Sequence, residues 1–247
     1  MAHEAPSTKG DEKVNAPVSE HEFWRARLYL PNYKIRDAAR YAKLSTQTLS
    51  NWHGKPGSNR KSMLTTKDKG AALSYLQLIE VAVVASFRKA GLSLGKIRSA
   101  REYLATQMQA EYPFTEYRFK TDGRELWMDY AQFEAEAGDE TLLVASRNGQ
   151  LAWTDIIGKL QEFEYEKAGL AIRWRVAGVD AGVVIDPKIQ FGAPSVEGVP
   201  TWVFKGRFDS GEPIDEIADD FGVPNSAVLE ALAFEGIDAN LGRQPRH

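Results

Sequence analysis

The sequence contains no cysteine, and that absence removes several chemistries at once. Disulfides, Fe–S clusters, thiolate metal sites and cysteine nucleophiles are excluded, and a thiol-free chain fits a reducing compartment. Histidine is scarce as well, four in all, and His21 and His53 stand too far apart to suggest a catalytic or metal-binding pair. No P-loop, dinucleotide-binding fingerprint or nucleophile elbow is found. Long apolar runs are missing: the longest, VAVVA at 81–85, is far shorter than the roughly 20 residues a bilayer crossing needs. The polar N-terminus holds no apolar core for a signal peptide. These absences predict a cytoplasmic, non-enzymatic chain without cofactor or metal, whose residues 1–21 form a disordered arm.

Charge of one sign is also missing, locally. Residues 209–240 carry nine Asp or Glu and no Lys or Arg, whereas residues 24–70 carry eleven Lys or Arg against Asp37 and Asp68. The net charge of −3 conceals this polarity. Opposed ends of this kind suggest two partners of opposite character. At roughly 150 residues per domain, 247 residues suggest one or two domains.

The apolar pattern places short helices over 36–43 and within 44–52, with Ser45 or Thr46 as N-cap of the second. A Gly/Pro-rich basic loop, 53–63, follows. From Thr66 towards Gly91 the periodicity predicts a long helix that is apolar around most of its circumference. Such a helix must be buried on several sides, by its own chain or by a second copy. Ser93 can cap a further helix with Ile97, Ala100, Leu104 and Met108 on one face. Beyond Pro113 the texture turns to strands, with hairpin signals at Asp122-Gly123 and Asn148-Gly149. Residues 155–166 read as helix, 170–178 and 182–186 as strands, 187–203 as ordered loop or edge, and 214–235 as helical again.

Two helix-turn-helix spacings stand out. In the first, Ala39 is the small residue of the leading helix, Lys43 the turn residue with Leu44 beside it, and Leu49 the apolar closure. Its second helix exposes Ser45, Thr46, Gln47, Ser50 and Asn51. Gln and Asn amides can pair bidentately with adenine, and hydroxyls can serve bases or phosphates. Arg36, Arg40, Lys43, Lys55, Arg60 and Lys61 surround this helix and suit phosphate contacts, which orient rather than specify. A solvated basic αα-hairpin is the plainer alternative. The segment IRDAARYAKLSTQTLSNWHGKP resembles the winged head of the MerR superfamily, through Tyr33, Ile35, Ala39, Arg40, Leu44, Ser45, Thr48 and Leu49. The likeness continues through Phe87–Ser93 and Ile97-Arg98 and covers about residues 33–105. Lys43 departs from the family's usual Gly, and the family's cysteine metal ligands and long coiled coil are absent.

The second spacing, Ala218, Gly222 and Val228, has a better turn, since Gly takes a positive φ without steric cost. Its charge is wrong for DNA: Asp215, Glu216, Asp219, Asp220 and Glu230 would repel phosphates. The four aspartate and glutamate side chains at 215–220 could suggest a metal cluster, but on a helix Asp220 points away from Asp215 and Asp219. An acidic face suits a basic protein surface instead. The segment 184–235 is similar to a short bacterial domain of uncharacterised function, typical of antitoxins of the VapB type that neutralise PIN-type ribonuclease toxins. The resemblance rests on Asp186-Pro187, Gly192, Pro194, Gly198, Pro200-Thr201, Arg207-Phe208, Gly211, Glu216–Asp219 and Gly222–Pro224, with Val199 departing from the usual Thr. It implies toxin contacts, for which Arg207, Phe208, Asp219, Phe221 and Leu232 are the candidates, with Arg243 and Arg246 as an arm reaching the toxin's carboxylates.

The expected architecture is therefore α+β. A disordered arm (1–21) leads into a MerR-like winged helix-turn-helix with a dimerisation helix (22–110). A central antiparallel β region (111–181), an antitoxin-type helix-turn-helix domain (182–237) and a tail (238–247) follow. The resemblances imply an antitoxin that binds operator DNA and a PIN-type toxin. Because two heads double the contact area of one on an operator, a homodimer through the apolar helix 67–90 is expected. The alternative is a stand-alone MerR-like regulator.

Overall fold

The computed structural model describes residues 20–52, 72–117, 119–120, 156–167 and 169–239. After helix α1 (Glu20–Arg27) the chain turns, and Tyr33 forms an isolated antiparallel bridge with Leu73. Helices α2 (Ile35–Tyr41) and α3 (Thr46–Trp52) follow, packed through Ala38, Ala39, Tyr41, Leu49 and Trp52, all buried. Ala39 is small enough for α3 to approach closely, as its place in the spacing requires.

Lys43 takes the turn between them with φ +56°. A non-glycine residue in this left-handed region bears about 1–2 kcal/mol of Cβ strain. Lys43→Gly is therefore expected to stabilise the fold by about 1 kcal/mol, read as a higher urea midpoint at unchanged m-value. An unchanged midpoint would show that the turn carries no strain. Gly222, in the equivalent place of the second helix pair, has φ +64°.

Helix α4 (Tyr75–Lys89) begins later than its apolar period suggests. Ala72 and Leu73 continue the spacing but lie outside the helix, because Leu73 is tied to Tyr33 through N–H···O bonds of 2.9 and 2.7 Å. The start is fixed by a capping box: the Gln77 N–H donates to Ser74 Oγ at 3.3 Å, and the Ser74 N–H donates to Gln77 Oε1 at 2.9 Å. At the other end Gly91, φ +92°, lets the Leu92 N–H reach back to the Phe87 carbonyl. Ser93 then caps α5 (Leu94–Met108), and Ile97, Ala100, Leu104 and Met108 are buried as their spacing predicts.

Tyr75 through Val84, and Phe87, are buried within the single chain. Among the described residues, α4 thus leaves no apolar face for a second copy, and the expected dimerisation through it is corrected. Its one buried charge, Glu80, is met by Arg101 of α5, with Nη2 2.8 Å from Oε2 and Nε 3.1 Å from each oxygen.

Helix α6 spans residues 156–161 and is followed by strand β1 (Phe163–Tyr165). The expected helix over 155–166 is thus only half right. Phe163 alternates with Glu162 and Glu164, a period of two, and lies opposite Trp174 with both rings buried. Strands β2 (Ala171–Arg175), β3 (Val184–Ile185), β4 (Ser195–Val196) and β5 (Val199–Pro200) complete an antiparallel sheet in sequential order. Glu197 and Gly198, both at positive φ, make the tight β4–β5 turn. The pairing of β2 with β3 crosses the boundary expected at 181–182. The hairpin signals at 122–123 and 148–149 fall outside the described residues.

Three helices close the fold: α7 (Thr201–Asp209), which the sequence reading did not anticipate, α8 (Ile214–Phe221) and α9 (Asn225–Phe234). Ala218 and Val228 are buried, and the Phe204 ring meets Phe221 edge-on at 5.3 Å. A single hydrophobic cluster runs from Trp24 to Leu232. The fold is α+β, as the sequence predicts. Among the described residues no helix is long and apolar enough to cross a membrane.

Candidate nucleic-acid and protein-docking surfaces

Ser45, Thr46, Gln47, Ser50 and Asn51 are all exposed at α3. Ser45 is its N-cap: the hydroxyl accepts the Thr48 N–H at 3.0 Å and lies 2.8 Å from the Thr48 hydroxyl. That duty narrows what Ser45 can offer an outside partner. Gln47 Nε2 donates to Asn51 Oδ1 at 3.0 Å, so the two amides are held side by side one turn apart. Their remaining polar atoms, Gln47 Oε1 and Asn51 Nδ2, are the donor–acceptor set that base edges require.

The basic surround is only partly assembled around α3. Arg36 is 83% exposed, with Asp37 no nearer than 3.7 Å, and Lys43 is exposed on the turn. Arg40 is committed elsewhere. Its Nη1 donates to Glu235 Oε2 at 2.9 Å, and its guanidinium lies 5.1 Å from the Tyr41 and Phe234 ring centroids. Lys55, Arg60 and Lys61 fall outside the described residues.

The acids of the second helix pair divide into two groups. Asp215, Glu216 and Asp219 are exposed on α8. Glu230 instead accepts the Gly182 N–H at 2.7 Å, and Asp220 pairs with Arg207 at 2.6 Å. Arg207 also pairs with Glu212, and its guanidinium lies 5.6 Å from the Phe221 centroid. These two carboxylates hold its pKa above the usual range. Phe208 and Phe221 are half-buried against the core. Leu232 is 0% exposed, so it packs the interior and offers no contact surface. Arg243 and Arg246 fall outside the described residues.

The sequence reading missed a joint between the two helix-turn-helix units. Glu235 bridges Arg40 and the Thr201 hydroxyl, which donates to it at 2.5 Å. Beside this, Tyr41 and Phe234 stack with centroids 6.0 Å apart. Just before α2 in the chain, the Tyr33 hydroxyl donates to the Gly192 carbonyl at 3.0 Å, and Asn32 Nδ2 to the Phe191 carbonyl at 2.5 Å. Burial pushes the Tyr33 phenol well above its usual pKa. These partners lie about 160 to 195 residues apart in sequence, beyond the reach of any local pattern. Among the described residues, no group of three or more His, Asp or Glu is placed to hold a metal ion.

Residues 183–234 match the family described as Protein of unknown function (DUF433). The chain is 26% identical over 226 residues to "Putative antitoxin VapB45" of Mycobacterium tuberculosis, covering 83% of this chain and 94% of that protein. The crystal structure of Rv2018 from Mycobacterium tuberculosis shares the fold, with a TM-score of 0.69 and 22% identity over 83% of this chain and 99% of that one.

Proposed function

We propose that the protein is a DNA-binding antitoxin. In this reading α3 and its basic surround bind the operator of its own operon. The exposed acids of α8 dock a PIN-type ribonuclease toxin and neutralise it. The first unit acts as a MerR-like winged head. Two copies on an operator would double the contact area of one small head at a fixed half-site spacing, meeting through a surface other than α4. The observation that carries the reading is the retained electrostatic polarity. Gln47, Asn51, Arg36 and Lys43 are exposed on the head, and Asp215, Glu216 and Asp219 on the last helix pair. The distant likeness to a protein named as an antitoxin supports the toxin half.

Each end has its own test. Anisotropy titrations with the operon's promoter should show log K falling with log salt by about 0.9 per neutralised phosphate. Changing Lys43, Arg60 and Lys61 together to Glu should weaken promoter binding at least about 100-fold and flatten that slope by about 2–3 units. The same variant should still co-purify with a toxin encoded by a neighbouring reading frame. Changing Asp215 and Asp219 to Lys should do the reverse. If one set abolished both activities in folded protein, the assignment of separate surfaces would fail. Binding of DNA with no neighbouring nuclease captured would instead favour a stand-alone regulator.

A further inference from the structure

A cleft of about 580 Å³ opens between the α2–α3 turn, the C-terminal half of α4 and helix α6. Its volume lies in the range typical of small-molecule sites, about 300–1,000 Å³. Trp52 and Ala82 of the lining are buried, and the apolar surface it offers is that of the half-buried Leu44 and Ala85. A flat apolar body could lie against these side chains.

The polar part is cationic. Lys43, Arg88, Lys89 and Lys159 line the cleft, and among the described residues Glu162 is the one carboxylate in its lining. That carboxylate is already engaged, since Glu162 Oε2 accepts from Lys159 Nζ at 2.6 Å and from Trp174 Nε1 at 2.9 Å. Arg88 donates to the Leu92 carbonyl. The Lys159 side chain is only 17% exposed, and its ammonium lies 5.0 Å from the Trp174 centroid. Burial lowers its pKa; Glu162 opposes that, while Lys43 and Lys89 add to it. Four cations against one carboxylate among the described lining residues leave the cleft with a net positive charge, which a second negative charge would offset.

We propose that this cleft binds a small organic anion, a flat apolar body bearing one phosphate or carboxylate group. The body lies against Leu44 and Ala85, and the charged group is held between Lys43, Lys89 and Lys159. The operator and toxin contacts proposed above are not needed for this binding.

Calorimetric titration of the full chain at low salt tests it with three probes. Adenosine monophosphate carries the phosphate head, 2-naphthoate the carboxylate head, and inorganic phosphate the charge alone. One of the two organic probes should bind with Kd below about 1 mM, and inorganic phosphate at least about tenfold more weakly. Whichever organic probe binds more tightly assigns the head group. Lys89→Glu, at the exposed rim, should weaken that probe at least about tenfold. Ser86→Phe, which fills the cleft without changing its charge, should abolish binding. Circular dichroism checks both variants for native structure. Three results would overturn the proposal: no organic probe bound below 1 mM, phosphate bound as tightly as the organic anions, or unchanged affinity in a folded variant.

Discussion

Replacing Arg101 by Met is expected to destabilise the fold by about 3–5 kcal/mol near pH 8, since one partner of a buried ion pair is left without its countercharge. Glu80 is 0% exposed on α4, and Arg101 approaches both of its oxygens. Burial pushes the Glu80 pKa up to about 7 from 4.5, although Arg101 and a backbone hydrogen bond at Phe114 pull it down. The sign follows from that direction. A carboxyl whose folded pKa is raised gives stability that is fully present below about pH 4.5 and is lost as pH rises through about 7, with little change beyond. The shift corresponds to about 3 kcal/mol across that window. At pH 5 Glu80 is largely protonated, so Arg101→Met should cost clearly less there than at pH 8. Urea unfolding at the two pH values checks this. Glu80→Gln combined with Arg101→Met should recover part of the loss at pH 8, because no lone charge remains. A cost below about 1 kcal/mol at both pH values would show that the pair is solvated rather than buried.

Gly192→Ala is the second large effect, at about 2–5 kcal/mol, and it acts on the joint between the two helix-turn-helix units. Gly192 sits at φ +78°, where a Cβ strains the backbone by about 1–2 kcal/mol. The added carbon would also stand 2.2 Å from the Tyr33 hydroxyl and 3.3 Å from Cζ of the same ring. Tyr33 is 5% exposed and wedged beside Tyr41, so it cannot swing aside as a surface lysine would. Overpacking of this kind costs about 1–3 kcal/mol in addition. Tyr33→Phe alone removes only the bond to the Gly192 carbonyl and should cost about 1 kcal/mol. Placed together with Gly192→Ala, it should restore part of the stability by removing the clashing oxygen. If Gly192→Ala melted within a degree or two of the native protein, Tyr33 would not be packed there.

Much of the fold is legible in the sequence because its signals are local. Ala39 and Leu49, and again Ala218 and Val228, announce close helix pairs through residue size, and all four are buried. Ser93 announces a cap. Where the reading failed, two local signals competed. Ala72 and Leu73 fit the helical period, yet Ser74 and Gln77, three residues apart, mark the start. Glu162, Glu164 and Glu166 favour helix by composition, while Phe163 and Tyr165 alternate as a strand does. Of the candidate surfaces, the exposed face of α3 and the exposed acids of α8 were legible from period and charge. The pairing of Arg40 with Glu235 and the burial of Leu232 were not. Both are set by which helix packs on which, and no stretch of neighbouring residues encodes that.

The strand pairing across residues 181 and 182 bears on how the molecule can be dissected. A chain ending after residue 181 would keep β2 but lose β3, uncovering one edge of the sheet and the Trp174 indole that faces Ile185. Such a fragment would invite proteolysis and aggregation. A deletion strain built on it would then report the fate of a misfolded polypeptide, whereas single surface substitutions leave the scaffold whole.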